Sequence, residues 1–382
     1  MKYDFDKIID RQNTINKKWL KYDDPEVIPM WIADMDFSCP EEILDPIRQR
    51  INQGVFGYAD APEELNEILK ERIESNSDWK IESEWVTWLP GAVVALNVAC
   101  RTALSPGDMV MTPSPIYAPF SEAPENMERG FIKTFLNDNE GRMELDFGSI
   151  DNLLTDEVKI FFFCNPQNPG GTVFRKDEIE KLIQIALERD VLICSDEIHS
   201  DLILEEGKEH IHLASLNKEI EQKSITLLGP CKTFNLAGFP MAAAIIPNKA
   251  IREDFRRYMK GIVAHIDAVA LVATKAAYTQ AGEWHQELIT YLRKNRTLLQ
   301  EGISSIDGLS LTGPEASYLA WIDCRDSNLV SPRDFILEKA KVGVYDSDWF
   351  GSKDYIRLNF ACPRARLEET IDRIQKAFSQ RN

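Results

Sequence analysis

The sequence predicts an α/β protein: a large domain with a mainly parallel sheet and helices on both faces, plus a smaller α+β domain. Three observations predict it. Short, almost wholly apolar runs recur through the middle of the chain, as in strands buried on both faces. Segments of helical spacing separate these runs, and strands alternating with helices make a parallel sheet. Toward the end, a partly alternating strand pattern appears between long helices. The boundaries fall at residues 45–285 for the large domain and at 1–44 with 286–382 for the small one. A junction of this kind makes a cleft, a usual ligand site.

Taken in order, Trp85–Pro90 (WVTWLP) reads as a strand that runs into Gly91, followed by a helical stretch carrying Val94, Leu96, Val98 and Ala99. Met109–Pro113 is a second strand. Val158–Cys164 (VKIFFFC) is a strand buried on both faces. The helix after it has Asp177 as its N-cap and Ile179, Leu182, Ile183 and Ala186 on one face. Val191–Ser195, Ile225–Gly229 and Ala242–Pro247 are further strands. A long helix covers Glu283–Ile303, strands lie near Ser317–Cys324 and Tyr355–Cys362, and the last helix aligns Leu367, Ile371, Ile374 and Phe378.

Composition removes several classes of function. The 382 residues hold 44 Lys and Arg against 62 Asp and Glu, a net charge of −18, which argues against a nucleic-acid binder and against docking on an anionic membrane. No run approaches the ~18 apolar residues of a membrane span. The start, MKYDFDKIIDRQNTINKKWL, lacks the apolar stretch of a signal peptide. Seven cysteines, an odd number without a C-x-x-C pair, read as reduced thiols of a cytoplasmic protein. His210 and His212 form an H-x-H within EEGKEHIH. The charged surroundings predict a solvated loop, and no metal site is expected.

Three motifs close predicted strands, where ligands of open α/β sheets bind. They are Asn165–Gly171 (NPQNPGG), Ser195–Asp201 (SDEIHSD) and Gly229–Gly238 (GPCKTFNLAG). Together they bring an amide, a carboxylate, an imidazole and a lysine to one sheet edge. A lysine in a partly dry pocket has a lowered pKa and attacks carbonyls. A buried carboxylate beside it needs a positive partner. Pyridoxal phosphate offers an aldehyde for Lys232 and a ring nitrogen for Asp196.

With WIADMDF at Trp31–Phe37, FGY at Phe56–Tyr58, GEW at Gly282–Trp284 and RLNFACPR at Arg357–Arg364, the motifs resemble the fold-type I pyridoxal-phosphate enzymes of the class I/II aminotransferase superfamily. More narrowly, they resemble the MalY/PatB branch, the cystathionine β-lyases or C–S lyases. The resemblance spans nearly the whole chain. It implies pyridoxal 5'-phosphate as cofactor and assigns roles residue by residue. Lys232 matches the Schiff-base lysine that afterwards moves the Cα proton, and Tyr117, the aromatic stacked on the ring, stands with it as catalytic. Asp196 matches the partner of the ring nitrogen, Asn168 the amide on the phenolic oxygen, and His199 a neighbour of that oxygen. Gly91, Ala92 and Val93 open a helix whose N–H groups and dipole suit the phosphate. Tyr58 matches the tyrosine that crosses a homodimer interface to the neighbour's phosphate. Arg357 matches the arginine whose fork grips the substrate α-carboxylate, with Asn168 and Tyr58 also at the substrate.

The sequence also departs from its relatives. Gly229 and Cys231 stand where many have hydroxyl residues, and Pro240 where some have a phosphate-binding arginine. The segment YDSDWFGSKDYI before Arg357 lacks the glycine-rich character of relatives, which points to an unusual substrate-side loop. The resemblance implies β-elimination on L-cystathionine or related cysteine S-conjugates, giving a thiol such as homocysteine, pyruvate and ammonia. The alternatives are transamination of an L-amino acid on the same scaffold, and a lyase with an added regulatory binding role.

Overall fold

The apolar runs of the middle chain pair into one eight-stranded sheet in the computed structural model, which describes residues 2–12 and 14–381. Met1, Asn13 and Asn382, placed by the sequence in the small domain, lie outside the described residues. The strands are β1 (Val86–Leu89), β2 (Met109–Ser114), β3 (Gly130–Asn139), β4 (Arg142–Leu145), β5 (Val158–Cys164), β6 (Leu192–Asp196), β7 (Ser224–Leu228) and β8 (Ala242–Ile245). Their order across the sheet is β1-β8-β7-β6-β5-β2-β3-β4. The run β7-β6-β5-β2-β3 is parallel, while β8 lies antiparallel to both its neighbours and β4 antiparallel to β3. The sequence-based expectation of a mainly parallel sheet therefore holds, with antiparallel strands toward its margins.

The central strands are buried along nearly their whole length, as their unbroken apolar runs require. One core face packs Phe162, Ile160, Cys194 and Ile225 against the helix Ala92–Ala103, and the other packs Phe161, Phe163 and Ile193 against the helix Lys176–Glu188. That second helix starts at Arg175, not at the expected cap Asp177. A Glu178 carboxylate oxygen accepts from the Arg175 N–H at 2.8 Å, which caps the helix two residues earlier. The pair β3–β4 escaped the sequence reading. FIKTFLNDN carries few apolar residues because this edge is largely exposed.

A second, three-stranded sheet follows the long helix Gly282–Ser304. Strands β9 (Leu319–Asp323), β11 (Tyr355–Asn359) and β10 (Tyr345–Asp346) are antiparallel, with β11 in the middle. The final helix, Arg364–Ser379, buries Leu367, Ile371 and Ile374 as its spacing predicted, with Phe378 partly buried. The start of the chain joins this region: Ile28–Pro29 pairs in parallel with Val342–Gly343, and Phe5 and Phe37 pack with Trp284 and Tyr291 in one core.

Candidate active site

The three motifs lie side by side at the carboxyl ends of β5, β6 and β7. Backbone bonds tie them together: the Asn165 N–H donates to the Asp196 carbonyl at 3.0 Å, and the Glu197 N–H to the Leu227 carbonyl at 2.9 Å. The loop after β5 is held by its own amides. The Asn165 side-chain oxygen accepts from the Phe174 N–H, and the Gln167 amide donates to the Pro115 carbonyl at 2.7 Å. That bond anchors the stretch carrying Tyr117. Asn168 is left buried with Oδ1 facing Arg357.

Asp196 ends β6 and is buried, with the Ile198 N–H on Oδ1 at 3.2 Å. Burial pushes its carboxyl up to about 7, against that hydrogen bond and the charge of Lys232. His199, on the turn after β6, is buried and, among the described residues, has no hydrogen-bond partner on either ring nitrogen. Burial, then the charges of Lys232 and Arg357, push it down to about 3, so the imidazole is neutral. Lys232 Nζ donates to the Ala33 carbonyl at 3.0 Å, and burial lowers its pKa.

The Ala33 carbonyl belongs to a rail of backbone acceptors. Arg357 Nη2 donates to Trp31 O at 3.1 Å, Asn359 Nδ2 to Ile32 O and Asp34 O at 2.6 Å each, and the Tyr318 hydroxyl to Ala33 O at 3.3 Å. From the lysine loop, Asn235 adopts φ 56°, and its side-chain amide bonds Met35 N, Met35 O and Phe37 O. Behind the rail, buried Asp36 meets Lys18 at 3.0 Å and Arg11 at 2.6 Å, with Arg366 beside it. Burial alone would raise the Asp36 pKa, and these three cations bring it below the usual value. WIADMDF served the sequence reading only as a likeness. Backbone acceptors carry no residue signature, so the rail, Asn359 and Tyr318 went unread.

Arg357 sits in the central strand β11 and is buried. Its guanidinium lies 4.6 Å from the Phe350 ring centre and 5.0 Å from that of Tyr345. Its hydrogen bonds go to neutral oxygens, Asn168 Oδ1 at 2.9 Å and Trp31 O, and Nε has no partner. Burial lowers its pKa to about 10. A buried cation without an anion is prepared for one from outside. The Tyr117 ring centre is 4.9 Å from that of Trp349, which the turn Ser347–Phe350 presents. The unusual segment before Arg357 thus lays Tyr345, Trp349 and Phe350 around the site, aromatics the sequence reading did not single out.

Gly91 precedes the helix Ala92–Ala103 with φ 103°, a left-handed conformation that favours glycine. A Cβ there would lie 3.8 Å from that of Pro240, so Pro240 borders the helix start. The departure at Gly229 has a steric cause: a Cβ would come 2.8 Å from the Met241 carbonyl. Cys231 replaces a hydroxyl and reaches that same carbonyl with Sγ at 3.3 Å. Tyr58 stands apart from the cluster, 95% exposed, with its ring centre 5.3 Å from that of His265.

The expectation of a solvated His210–His212 loop is overturned. Their side chains are only 7% and 8% exposed, and both rings turn inward onto Glu197 Oε2, His210 Nε2 at 2.8 Å and His212 Nδ1 at 2.5 Å. A fully buried carboxylate draws them in, while the charges of EEGKE stay at the surface.

A mixed sheet with the lysine, aspartate and asparagine on its carboxyl edge, facing an arginine from a smaller sheet, is the fold-type I architecture of pyridoxal-phosphate enzymes. Residues 25–374 match the family model "Aminotransferase class I and II", and the chain belongs to that family, in its MalY/PatB branch. It is 34% identical over 386 residues to "Cystathionine beta-lyase PatB" of Bacillus subtilis, covering 98% of this chain and 100% of that one. The crystal structure of OvoB superposes with a TM-score of 0.96 at 40% identity, covering 100% of both chains. Cystalysin from Treponema denticola, solved with pyridoxal 5'-phosphate, gives a TM-score of 0.95 at 32% identity over 99% of each chain. Among the described residues, no helix is long and apolar enough to cross a membrane.

Proposed function

We propose that the protein is a pyridoxal 5'-phosphate-dependent carbon–sulfur β-lyase acting on L-cystathionine or related cysteine S-conjugates, releasing a thiol such as homocysteine with pyruvate and ammonia. One observation carries the reading: Asp196, Lys232 and Arg357 lie buried within reach of one another's charge, each hydrogen-bonded to neutral oxygen or N–H partners and, among the described residues, none in a salt bridge. Those residues fit the cofactor. The Asp196 carboxyl, raised to about 7, suits a pyridinium N–H. The unpartnered His199 nitrogens and the Asn168 amide suit the phenolic oxygen. Gly91, Ala92 and Val93, at a helix start, suit the phosphate.

Bound pyridoxal 5'-phosphate supplies an aldehyde for the substrate amine and a ring that accepts the electron pair left at Cα. Asp196 would hold the proton at the ring nitrogen. Lys232 Nζ would take the Cα proton, and burial lowers its pKa in the direction that favours this task. The Arg357 fork binds the α-carboxylate and so fixes the Cα–H bond relative to Lys232. Tyr117 would stack against the cofactor. Loss of the Cβ thiolate, favoured over transamination, rests on the likeness to a relative named cystathionine beta-lyase.

The active unit of this reading is a homodimer in which Tyr58 reaches the other subunit's phosphate. Exposed Val55, Phe56, Tyr58 and Ile262 support it, as surface that a second copy would cover. Residues 45–285 form its large domain, and 1–44 with 286–382 its small one. All seven cysteines are unpaired, which supports a cytoplasmic setting. The deciding experiment is incubation with L-cystathionine and no keto acid. Pyruvate and thiol released over many turnovers are expected. Product that stops at one equivalent and resumes on adding a keto acid would make the protein an aminotransferase.

A further inference from the structure

We propose that Glu197, His210 and His212 bind one divalent metal ion of the zinc class, at a site separate from the cofactor cleft. Each offers one ligand atom, and the three atoms lie within 4.8 Å of one another. Glu197 Oε2 is the pivot, 2.8 Å from His210 Nε2 and 2.5 Å from His212 Nδ1. The other oxygen, Oε1, is held by the Ser195 hydroxyl at 2.7 Å and the Leu213 N–H at 3.2 Å. Such outer contacts orient a carboxylate ligand.

Charge makes the case for a cation. Glu197 is fully buried, and among the described residues its ion-pair partners are these two histidines alone. The cluster thus sets a buried carboxylate between two imidazole nitrogens, with no Lys or Arg paired to it among the described residues. A divalent ion balances it. Two imidazoles and a carboxylate form a zinc donor set with a fourth position left open.

The space suits the ion. Tetrahedral zinc with bonds of about 2.0–2.2 Å holds its ligand atoms about 3.3–3.5 Å apart, so the rings need withdraw by less than about 1 Å. Both histidines line a cavity of about 310 Å³ shared with Arg72, Asp201 and His285, which gives entry to the ion and to a water as fourth ligand. Arg72 is already paired with Asp201 at 2.9 Å. Lys232, His199 and Arg357 are not among the walls of that cavity.

The test uses holoenzyme stripped with a chelator and titrated with Co²⁺, then with Zn²⁺. One equivalent of Co²⁺ should bind with a visible ligand-field band and no thiolate charge-transfer band, and Zn²⁺ should displace it. His210→Asn and His212→Asn should each weaken binding at least about tenfold. No saturable binding by the wild type overturns the proposal, as does binding that both variants leave unchanged. X-ray absorption at the zinc edge needs only the wild type. Nitrogen and oxygen neighbours with imidazole outer-shell scattering support the site, and a sulfur or oxygen-only shell overturns it.

Discussion

Arg357 Nη1 donates to Asn168 Oδ1 across 2.9 Å, joining the middle strand of the small sheet to the loop after β5 of the large one. The bond spans 189 positions of sequence and sets two recognition groups by a single contact. Asn168 keeps the guanidinium in the cleft with its Nε unengaged.

Removing that fork should cost substrate binding. Arg357→Ala removes one partner of a buried charged pair, worth about 2–5 kcal/mol. Steady-state kinetics on L-cystathionine should show kcat/KM lower by about 30-fold or more, mainly through KM. Arg357→Lys should recover only part of it, because an ammonium cannot present two parallel N–H bonds. An unchanged KM in both variants would remove Arg357 from the substrate.

Lys232→Ala takes away the amine that reaches Ala33 O. The visible absorption of holoenzyme should vanish, and turnover should fall by about 10²–10⁴-fold, the range for loss of a positioned proton carrier. A variant that keeps the wild-type spectrum would place the cofactor on another residue.

Asp196 gives a pH dependence with a definite sign in the cofactor-free protein. Its folded pKa of about 7 stands above the ordinary aspartate value of 3.8. Between those values the folded state holds a proton that the unfolded chain has lost, so this group's contribution to stability falls as pH rises. Asp196→Asn removes the penalty. Denaturant titrations should find the variant equal to wild type near pH 4, and more stable by on the order of 4 kcal/mol above pH 7. A difference that stays flat with pH would contradict the burial assigned to this carboxyl.

Gly229→Ser restores the hydroxyl residue of many relatives at a position where this backbone has no room. The new Cβ would meet the Met241 carbonyl at 2.8 Å. Overpacking of that kind costs about 1–3 kcal/mol. The melting temperature should drop, and an unchanged value would show that the strand ends move apart freely.

Phe56→Glu puts a charge on a side chain already 61% exposed in the single chain, so it should leave the subunit fold intact. In sedimentation the variant should run as a monomer, with weaker retention of cofactor. A variant that remains dimeric would take this surface out of the subunit interface.

Much of the site was legible because its chemistry is carried by residue types at strand ends. VKIFFFC gave β5 to the residue; Asn168, His199 and Lys232 fall in loops after strands whose apolar runs announced them, and Asp196 ends such a strand. What stayed hidden has no local signature. The carbonyls of Trp31–Asp34 act through backbone atoms, and β3, next to the sheet's edge, has no unbroken apolar run. His210 and His212 sit in a charged stretch, and only the fold reveals the buried Glu197 that turns them inward.

The backbone rail has a consequence for how the protein comes into being. Its carbonyls are made near the start of synthesis, the lysine that rests on them about two hundred residues later, and Arg357 and Asn359, which also hold them, near the end. A nascent chain released at residue 300 would carry Lys232, Asp196 and Asn168, yet it would lack three of the side chains that position the opposite wall, Tyr318, Arg357 and Asn359. Cofactor capture thus belongs to the finished polypeptide. Truncated translation products should remain colourless even when their large sheet is complete.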